Sequence, residues 1–195
     1  MKSALAAAFS LLAAALATAE ELSLARGRVE AVQNGRVTFE TGGSVVLRST
    51  SAEYASGMRL LPPSGKTSFN LSAGRYLAAD IESLADHQQR LCLQIKDESG
   101  DTYAGIALDP GEKATIKLQL PHAHIYSYPG GAKGVKTLDT HSLTGIAFLV
   151  VWPYEGQFSG LIHCRISNMR LIGAPDVARH VPVSSYLPFV DQFGQ

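Results

Sequence analysis

What this sequence is short of narrows it first. An excess of either charge is lacking: 17 Lys and Arg stand against 17 Asp and Glu. Nucleic acids and anionic membrane surfaces demand a concentrated basic field, and this balance supplies none. A neutral ligand suits the surface better. Helical periodicity is lacking too, since no segment beyond residue 19 keeps its apolar residues in a sustained helical stripe. Absent as well are a G-x-S-x-G nucleophile elbow, an H-E-x-x-H metal motif and a phosphate-cradling glycine motif. Hydrolysis by the chain alone is not expected.

Only two cysteines occur, so the possible disulfide is Cys92 to Cys164. An oxidising compartment favours it, but strand register argues against it. In Arg90-Leu91-Cys92-Leu93-Gln94-Ile95-Lys96 the apolar parity is Leu91, Leu93 and Ile95, which leaves Cys92 on the polar face with Gln94 and Lys96. Cys164 shares parity with Ile162 and Ile166, an apolar face. Cysteines on opposite faces seldom meet the Cα separation of about 4.4–6.8 Å that a bridge needs.

What is present begins with an export signal. Lys2 precedes an Ala/Leu/Phe run from Ala4 to Ala17, interrupted by Ser10, and Ala17-Thr18-Ala19 closes it. Cationic start, apolar core and small-residue close make residues 1–19 a secretory signal peptide, and the mature chain is expected to be secreted or periplasmic. The run is shorter than the roughly twenty apolar residues of a membrane span, so no membrane anchoring is expected. The remainder suits one domain.

Along that remainder, alternating runs bounded by Gly, Pro, Asn and Asp recur, the pattern of strands. Arg28–Gln33 and Arg36–Glu40 flank Asn34-Gly35, the pair favoured in a type I′ hairpin turn because both central residues need positive φ. Gly42-Gly43 then turns the chain into Ser44–Arg48. A break at Pro62-Pro63-Ser64-Gly65 separates residues 20–61, a hairpin region, from residues 62–178, where the main sheet elements are expected to start. Strands are expected there at Thr67–Leu71, Arg75–Ile81, Arg90–Lys96, Thr102–Leu108, Ala114–Leu120, Gly145–Trp152 and Leu161–Ile172. Ala114, Ile116, Leu118 and Leu120 alternate with polar neighbours, as in an antiparallel strand wetted on one face. Ile146–Val151 is apolar on both parities and needs a central position covered on both sides. The expected fold is all-β, an antiparallel β-sandwich with jelly-roll connections.

Pro121–Thr144 has no clear periodicity; it is either a long binding loop or a loop concealing a strand at His122–Tyr128. His122 and His124 alternate, so on an extended segment both rings face one way and could share a metal. A third ligand would have to come from His141, His163 or Asp139, which no motif fixes, and solvated loop histidines are the simpler reading. No cofactor is therefore expected, although structural calcium on loop carbonyls leaves no sequence signature and stays open. Asp80 and Glu82 share a strand face, but a glycosidase needs two carboxylates about 5–10 Å apart across a cleft. A solvated face explains them more simply. Tyr126 and Tyr128 in the long loop, with Trp152, Tyr154 and Phe158 around the Pro153 and Gly156 turn, are more suggestive. Flat rings cover the apolar C–H faces of sugars while adjacent polar side chains bond the hydroxyls. The candidate carbohydrate contacts are accordingly His122, His124, Tyr126, Tyr128, Trp152 and Tyr154, with packing as the alternative role, the more so for Trp152 at the end of a buried strand.

The run from Leu71-Ser72-Ala73-Gly74-Arg75-Tyr76 through Asp80-Ile81-Glu82, then Arg90–Gly100 and Leu108-Asp109-Pro110-Gly111-Glu112, resembles the carbohydrate-binding-module-like domain that precedes the catalytic barrel in family 50 β-agarases. Ile146–Val151 and Ile166-Ser167-Asn168-Met169-Arg170-Leu171 are similar to that domain's closing strands. Residues 179–195 form a tail in which Pro188-Phe189-Val190-Asp191-Gln192-Phe193-Gly194-Gln195 looks like the junction into the barrel. A barrel would need about 250 further residues, so the resemblance transfers no catalytic residue to this sequence. It implies a galactose-binding or CBM-like sandwich that contacts agar-like polysaccharide. Alternatively it implies a stand-alone relic of such a module or a fragment of such an enzyme; separately, the apolar Tyr186–Phe193 segment, with Pro188 among its aromatics, reads as a docking tail for a separate glycoside hydrolase subunit.

Overall fold

A computed structural model describes residues 22–51, 56–98, 100–120, 138–150 and 161–173. Ten strands follow in chain order: β1 (Val29–Val32), β2 (Gly35–Phe39), β3 (Val45–Ser49), β4 (Gly57–Leu60), β5 (Tyr76–Ser83), β6 (Gln89–Lys96), β7 (Asp101–Leu108), β8 (Lys113–Gln119), β9 (Gly145–Val150) and β10 (His163–Ile172). They form two five-stranded sheets, β1-β4-β9-β6-β7 and β2-β3-β10-β5-β8, with antiparallel pairing throughout. The expected all-β antiparallel sandwich is the fold observed. β9, apolar on both parities, lies at the centre of the first sheet, the position its composition requires.

One face of each strand enters the shared core. Leu91, Leu93 and Ile95 of β6, Ile146, Phe148 and Val150 of β9, and Met58 of β4 meet Leu47, Leu77, Ile81, Ile116, Cys164 and Ile166 from the second sheet, all within 2% of full burial. Each such side chain contributes about 1.5–3 kcal/mol on leaving water. The β8 alternation is as expected, with Ile116 and Leu118 inward and Lys113 and Lys117 exposed.

The amino-terminal region departs from expectation. β1 and β2 do not pair: β1 joins β4 in the first sheet, and β2 joins β3 in the second. Asn34-Gly35 is therefore no type I′ hairpin turn; the positive φ falls at Gln33, 48°, and Gly35 already belongs to β2. Gly35 serves close approach instead, since a Cβ there would stand 1.9 Å from the Gly57 carbonyl oxygen. The hairpin is one step later, β2 to β3, where Gly42 and Gly43 adopt φ of 91° and 80°. β4 escaped the pattern because Gly57-Met58-Arg59-Leu60 is too short to show alternation. Thr67–Leu71 forms a single bridge, Phe69 to Leu143, and no strand; Phe69 and Leu71 are still fully buried.

A buried polar clamp ties the sheets together at one end. Gln89, 1% exposed, donates from Nε2 to Ser83 Oγ at 2.6 Å and to the His163 carbonyl at 3.0 Å, and its Oε1 accepts the His163 N–H at 2.8 Å. Every polar atom of that amide with a buried neighbour is thereby satisfied, which makes an otherwise costly burial tolerable.

Candidate functional site

The two outer faces differ in chemistry. On the second sheet, Arg165 grips Glu40 in a bidentate pair, Nε to Oε2 at 2.7 Å and Nη2 to Oε1 at 3.1 Å, while its Nη1 donates to Glu82 Oε2. Lys113 Nζ meets the other Glu82 oxygen at 3.1 Å. Asp80 accepts from Thr115 Oγ1 (2.7 Å), Arg170 Nη2 (3.0 Å) and Asn168 Nδ2 (2.7 Å). Asn168 reaches it from a bulge, where the pairing slips between Ser167 and Arg170 and Asn168 takes φ of 50°. An extra residue in αL re-aims a side chain in this way, and Asn tolerates it.

These partners set the titration. The Arg165 hydrogen bonds, then Ser44, hold Glu40 below its ordinary value; Lys113, then Arg165, do the same for Glu82. Partial burial pushes the Asp80 carboxyl upward, but the bonds from Arg170, Thr115 and Asn168 together outweigh it and the net shift is downward. Asp80 and Glu82 are thus not merely solvated. They are ionised and committed to cations, the opposite of a raised general acid facing a free carboxylate.

On the first sheet the register builds rows across the outer face. One runs Glu30, Arg59, Ala147, Gln94, Tyr103 and the next Val32, Gly57, Leu149, Cys92, Gly105. Gly145 and Asp101 flank Lys96 in a third, with the Lys96 stem lying across Gly145. Half-exposed Ala147, Gly145 and Gly105 therefore lie among the half-buried Tyr103 and Gln94 and the exposed Arg59 and Lys96, whereas Gly57, Leu149 and Cys92 are buried. Gln94 Nε2 donates to Asp101 Oδ2. Asp101 is raised above the ordinary range by desolvation, which Gln94 and Lys96 only partly offset. Burial likewise lowers Arg90. The result is a shallow, nearly neutral surface with polar groups at its borders, the chemistry that suits a neutral polar ligand.

Cys92 does lie on the outer face, as its parity indicates, yet it is buried, 8% exposed beside Leu149. Cys164 faces the core of the other sheet. Both are free thiols. Burial pushes Cys164 up to about 12 and Cys92 higher still, so neither is a nucleophile at neutral pH.

The sequence-derived contacts His122, His124, Tyr126, Tyr128, Trp152 and Tyr154 lie outside the described residues, as do the signal peptide and the tail. Their flanks are informative. Leu120 N–H bonds the Arg75 carbonyl near the Tyr76 end of the second sheet, whereas Val150 and Leu161 stand at the opposite end, by Leu91 and His163. The described flanks Leu120 and Val150 thus stand at opposite ends of the sandwich, separated by about 20 Å of strand. Of the other weighed residues, His141 Nδ1 approaches Asp139 Oδ1 at 3.3 Å, and His163 lies at the far end of β10. Among the described residues no three His, Cys, Asp or Glu side chains gather as metal ligands. The outer face of the first sheet was missed from sequence because its glycines and alanines carry no side-chain signal; only register assembles them.

Two five-stranded antiparallel sheets over one core, with no helix among the described residues, define a β-sandwich module. No protein family and no curated protein matches the chain in sequence. Solved structures do match in fold: an exo-β-agarase at TM-score 0.57 and 16% identity, over 78% of this chain and 24% of that one. The agarase AgWH50C gives 0.57 and 14%, over 86% and 30%, and PfGH50B gives 0.55 and 11%, over 85% and 28%. The sandwich is therefore similar to a part of the family 50 agarases, as the sequence resemblance implied. The chain spans between about a quarter and a third of their length, and at these identities the likeness is one of fold.

Proposed function

We propose that this chain is an exported, non-catalytic carbohydrate-binding protein that contacts agar-like or other galactose-containing polysaccharide. The observation that carries the proposal is the outer face of the first sheet, where the half-exposed Gly105, Gly145 and Ala147 leave a strip bordered by Tyr103, Gln94 and Asp101. A sugar ring laid there has an aromatic side chain for its C–H face and amide and carboxyl groups for its hydroxyls. The fold-level likeness to agarases supports galactan as the class. Tyr126, Tyr128, His122, His124, Trp152 and Tyr154 extend the contact in this proposal, and the signal peptide directs the chain to the periplasm or beyond.

Absence of catalysis belongs to the same proposal. Its support is the commitment of Glu40, Glu82 and Asp80 to Arg165, Lys113 and Arg170, which leaves none of these carboxylates as a raised acid.

Affinity electrophoresis tests the binding. Wild-type protein is expected to be retarded in agarose relative to a polysaccharide-free gel, and Tyr103→Ala to lose most of that retardation, with stacking of this kind worth about 0.5–1.5 kcal/mol. Unchanged wild-type mobility in every neutral galactan gel overturns the proposal. Release of reducing ends from agarose by the purified chain overturns its non-catalytic part.

A further inference from the structure

Beyond the first sheet's outer face, the second sheet ends beside His163 in a cleft of about 700 Å³. Register places three cationic or titratable residues in one row across it: Arg36 of β2 opposite Arg48 of β3, and Arg48 opposite His163 of β10. Like charges directly opposite on paired strands destabilise a sheet. One row further along the same strands, Arg165 is clasped by Glu40 and Glu82. Arg36 and Arg48 have no such clasp: both are exposed, and neither makes a side-chain hydrogen bond or ion pair among the described residues.

The rest of the lining is fixed in place. Ser49 Oγ accepts the Ile162 N–H at 2.7 Å, and Gln89 holds the His163 backbone from both sides. Asp86, the carboxylate in the lining, has its Oδ1 on His87 Nδ1 at 2.8 Å, and His87 Nε2 meets the Leu161 carbonyl at 3.3 Å. Leu161 is 37% exposed and presents an apolar wall at the mouth.

We propose that this cleft binds an anionic substituent of a polysaccharide, a sulfate ester or a uronate carboxylate, with Arg36 and Arg48 as its ligands and Leu161 against the sugar ring. This rests on the carbohydrate reading and adds a second, charged subsite to it. Guanidinium groups match either oxyanion through paired N–H bonds. The volume accommodates a sugar unit, and pre-fixed walls reduce the ordering cost of binding. A nucleic acid is disfavoured because the chain's 17 Lys and Arg are balanced by 17 Asp and Glu.

The test compares affinity electrophoresis in agarose, carrageenan (a sulfated galactan), polygalacturonate and dextran sulfate, using wild type, Arg48→Gln and Lys117→Gln. Lys117 is exposed on the same sheet away from the cleft, so its variant removes equal charge. Expected is an apparent affinity about fivefold higher for carrageenan or polygalacturonate than for agarose, abolished in Arg48→Gln and kept in Lys117→Gln. Salt of about 0.5 M should erase the preference. The two acidic polymers separate sulfate from carboxylate. Equal retention in neutral and acidic galactan, equal loss in both variants, or dextran sulfate binding as tight as carrageenan overturns this inference and leaves the agarose result standing. No retention in any gel overturns both readings, whereas Arg48-dependent retention by acidic polymers alone keeps the cleft and sinks the first-sheet face.

Discussion

The two outer faces of the sandwich are built from similar strands and solve the problem of polar groups in opposite ways. On the second sheet, carboxylates alternate with cations until Arg165 bridges Glu40 to Glu82 and Arg170 holds Asp80. On the first, half-exposed Gly105, Gly145 and Ala147 lie near Asp101, which has an amide and a neighbouring ammonium where its counterparts have guanidinium clasps. Paired charge is what a surface needs to remain a surface. An incompletely compensated carboxyl beside half-exposed small residues is a local cost with no structural return, and such costs concentrate where a protein meets a ligand.

Breaking the first sheet itself gives the largest effect. A Cβ on Gly57 would lie 2.0 Å from the Phe148 carbonyl oxygen, backbone that cannot move aside, so Gly57→Ala is expected to cost at least about 3 kcal/mol in urea unfolding. Gly145→Ala on the same face meets only the flexible Lys96 stem, at 2.8 Å, and should fall within about 1 kcal/mol of wild type. Equal effects would mean that Gly57 is not held between strands as described.

Next comes Arg165→Gln on the second sheet. Glu40 and Glu82 have folded pKa values below the ordinary 4.5. Their contribution is therefore present above pH 4.5 and lost as pH falls through the lowered folded values. At pH 7 the variant should melt lower than wild type, and the gap should narrow as pH falls through those lowered values. Retardation in agarose should be unaffected. Tyr103→Ala is expected to act on binding instead, with retardation in agarose lost. A gap that does not narrow with falling pH would assign Arg165 a packing role in place of an electrostatic one.

How much of this was legible beforehand follows from what kind of signal each feature leaves. Strands β5 to β10 announced themselves because a half-buried strand writes its two faces into alternate residues, as in Ala114, Ile116 and Leu118, and a central one writes apolar residues on both, as in β9. The amino-terminal pairing was illegible for a physical reason. Asn34-Gly35 carries the residue types of a tight turn, but Gly35 is needed because two backbones nearly touch, and glycine gives the same letter for both demands. The ion-pair face was half legible: Asp80 and Glu82 were placed on one strand face, while their partners lie 83 and 90 residues away along the chain. Sites made by register, the glycine strip and the Arg36/Arg48/His163 row alike, have no local signature.

The smallest expected effect is also the one whose sign decides between the faces. Desolvation raises the Asp101 carboxyl above 3.8 in the folded chain, against the pull of Gln94 and Lys96. A group with a raised folded pKa favours the folded state while it is protonated, below its unfolded value, and that advantage is lost as pH rises through the folded value. At pH 7 the ionised carboxylate is therefore a cost, where Glu40, Glu82 and Asp80 are gains. Asp101→Asn keeps an acceptor for Gln94 and removes the buried charge, so it should raise the melting temperature at pH 7 by about 1–2 °C. The advantage should vanish at pH 3, where Asp101 is protonated. If Asp101 also accepts a sugar hydroxyl, the same variant weakens retardation in agarose, so that stability rises as binding falls. A lower melting temperature at pH 7 would show that the first sheet's carboxylate is as well compensated as those of the second, and the contrast between the faces would no longer point to a ligand.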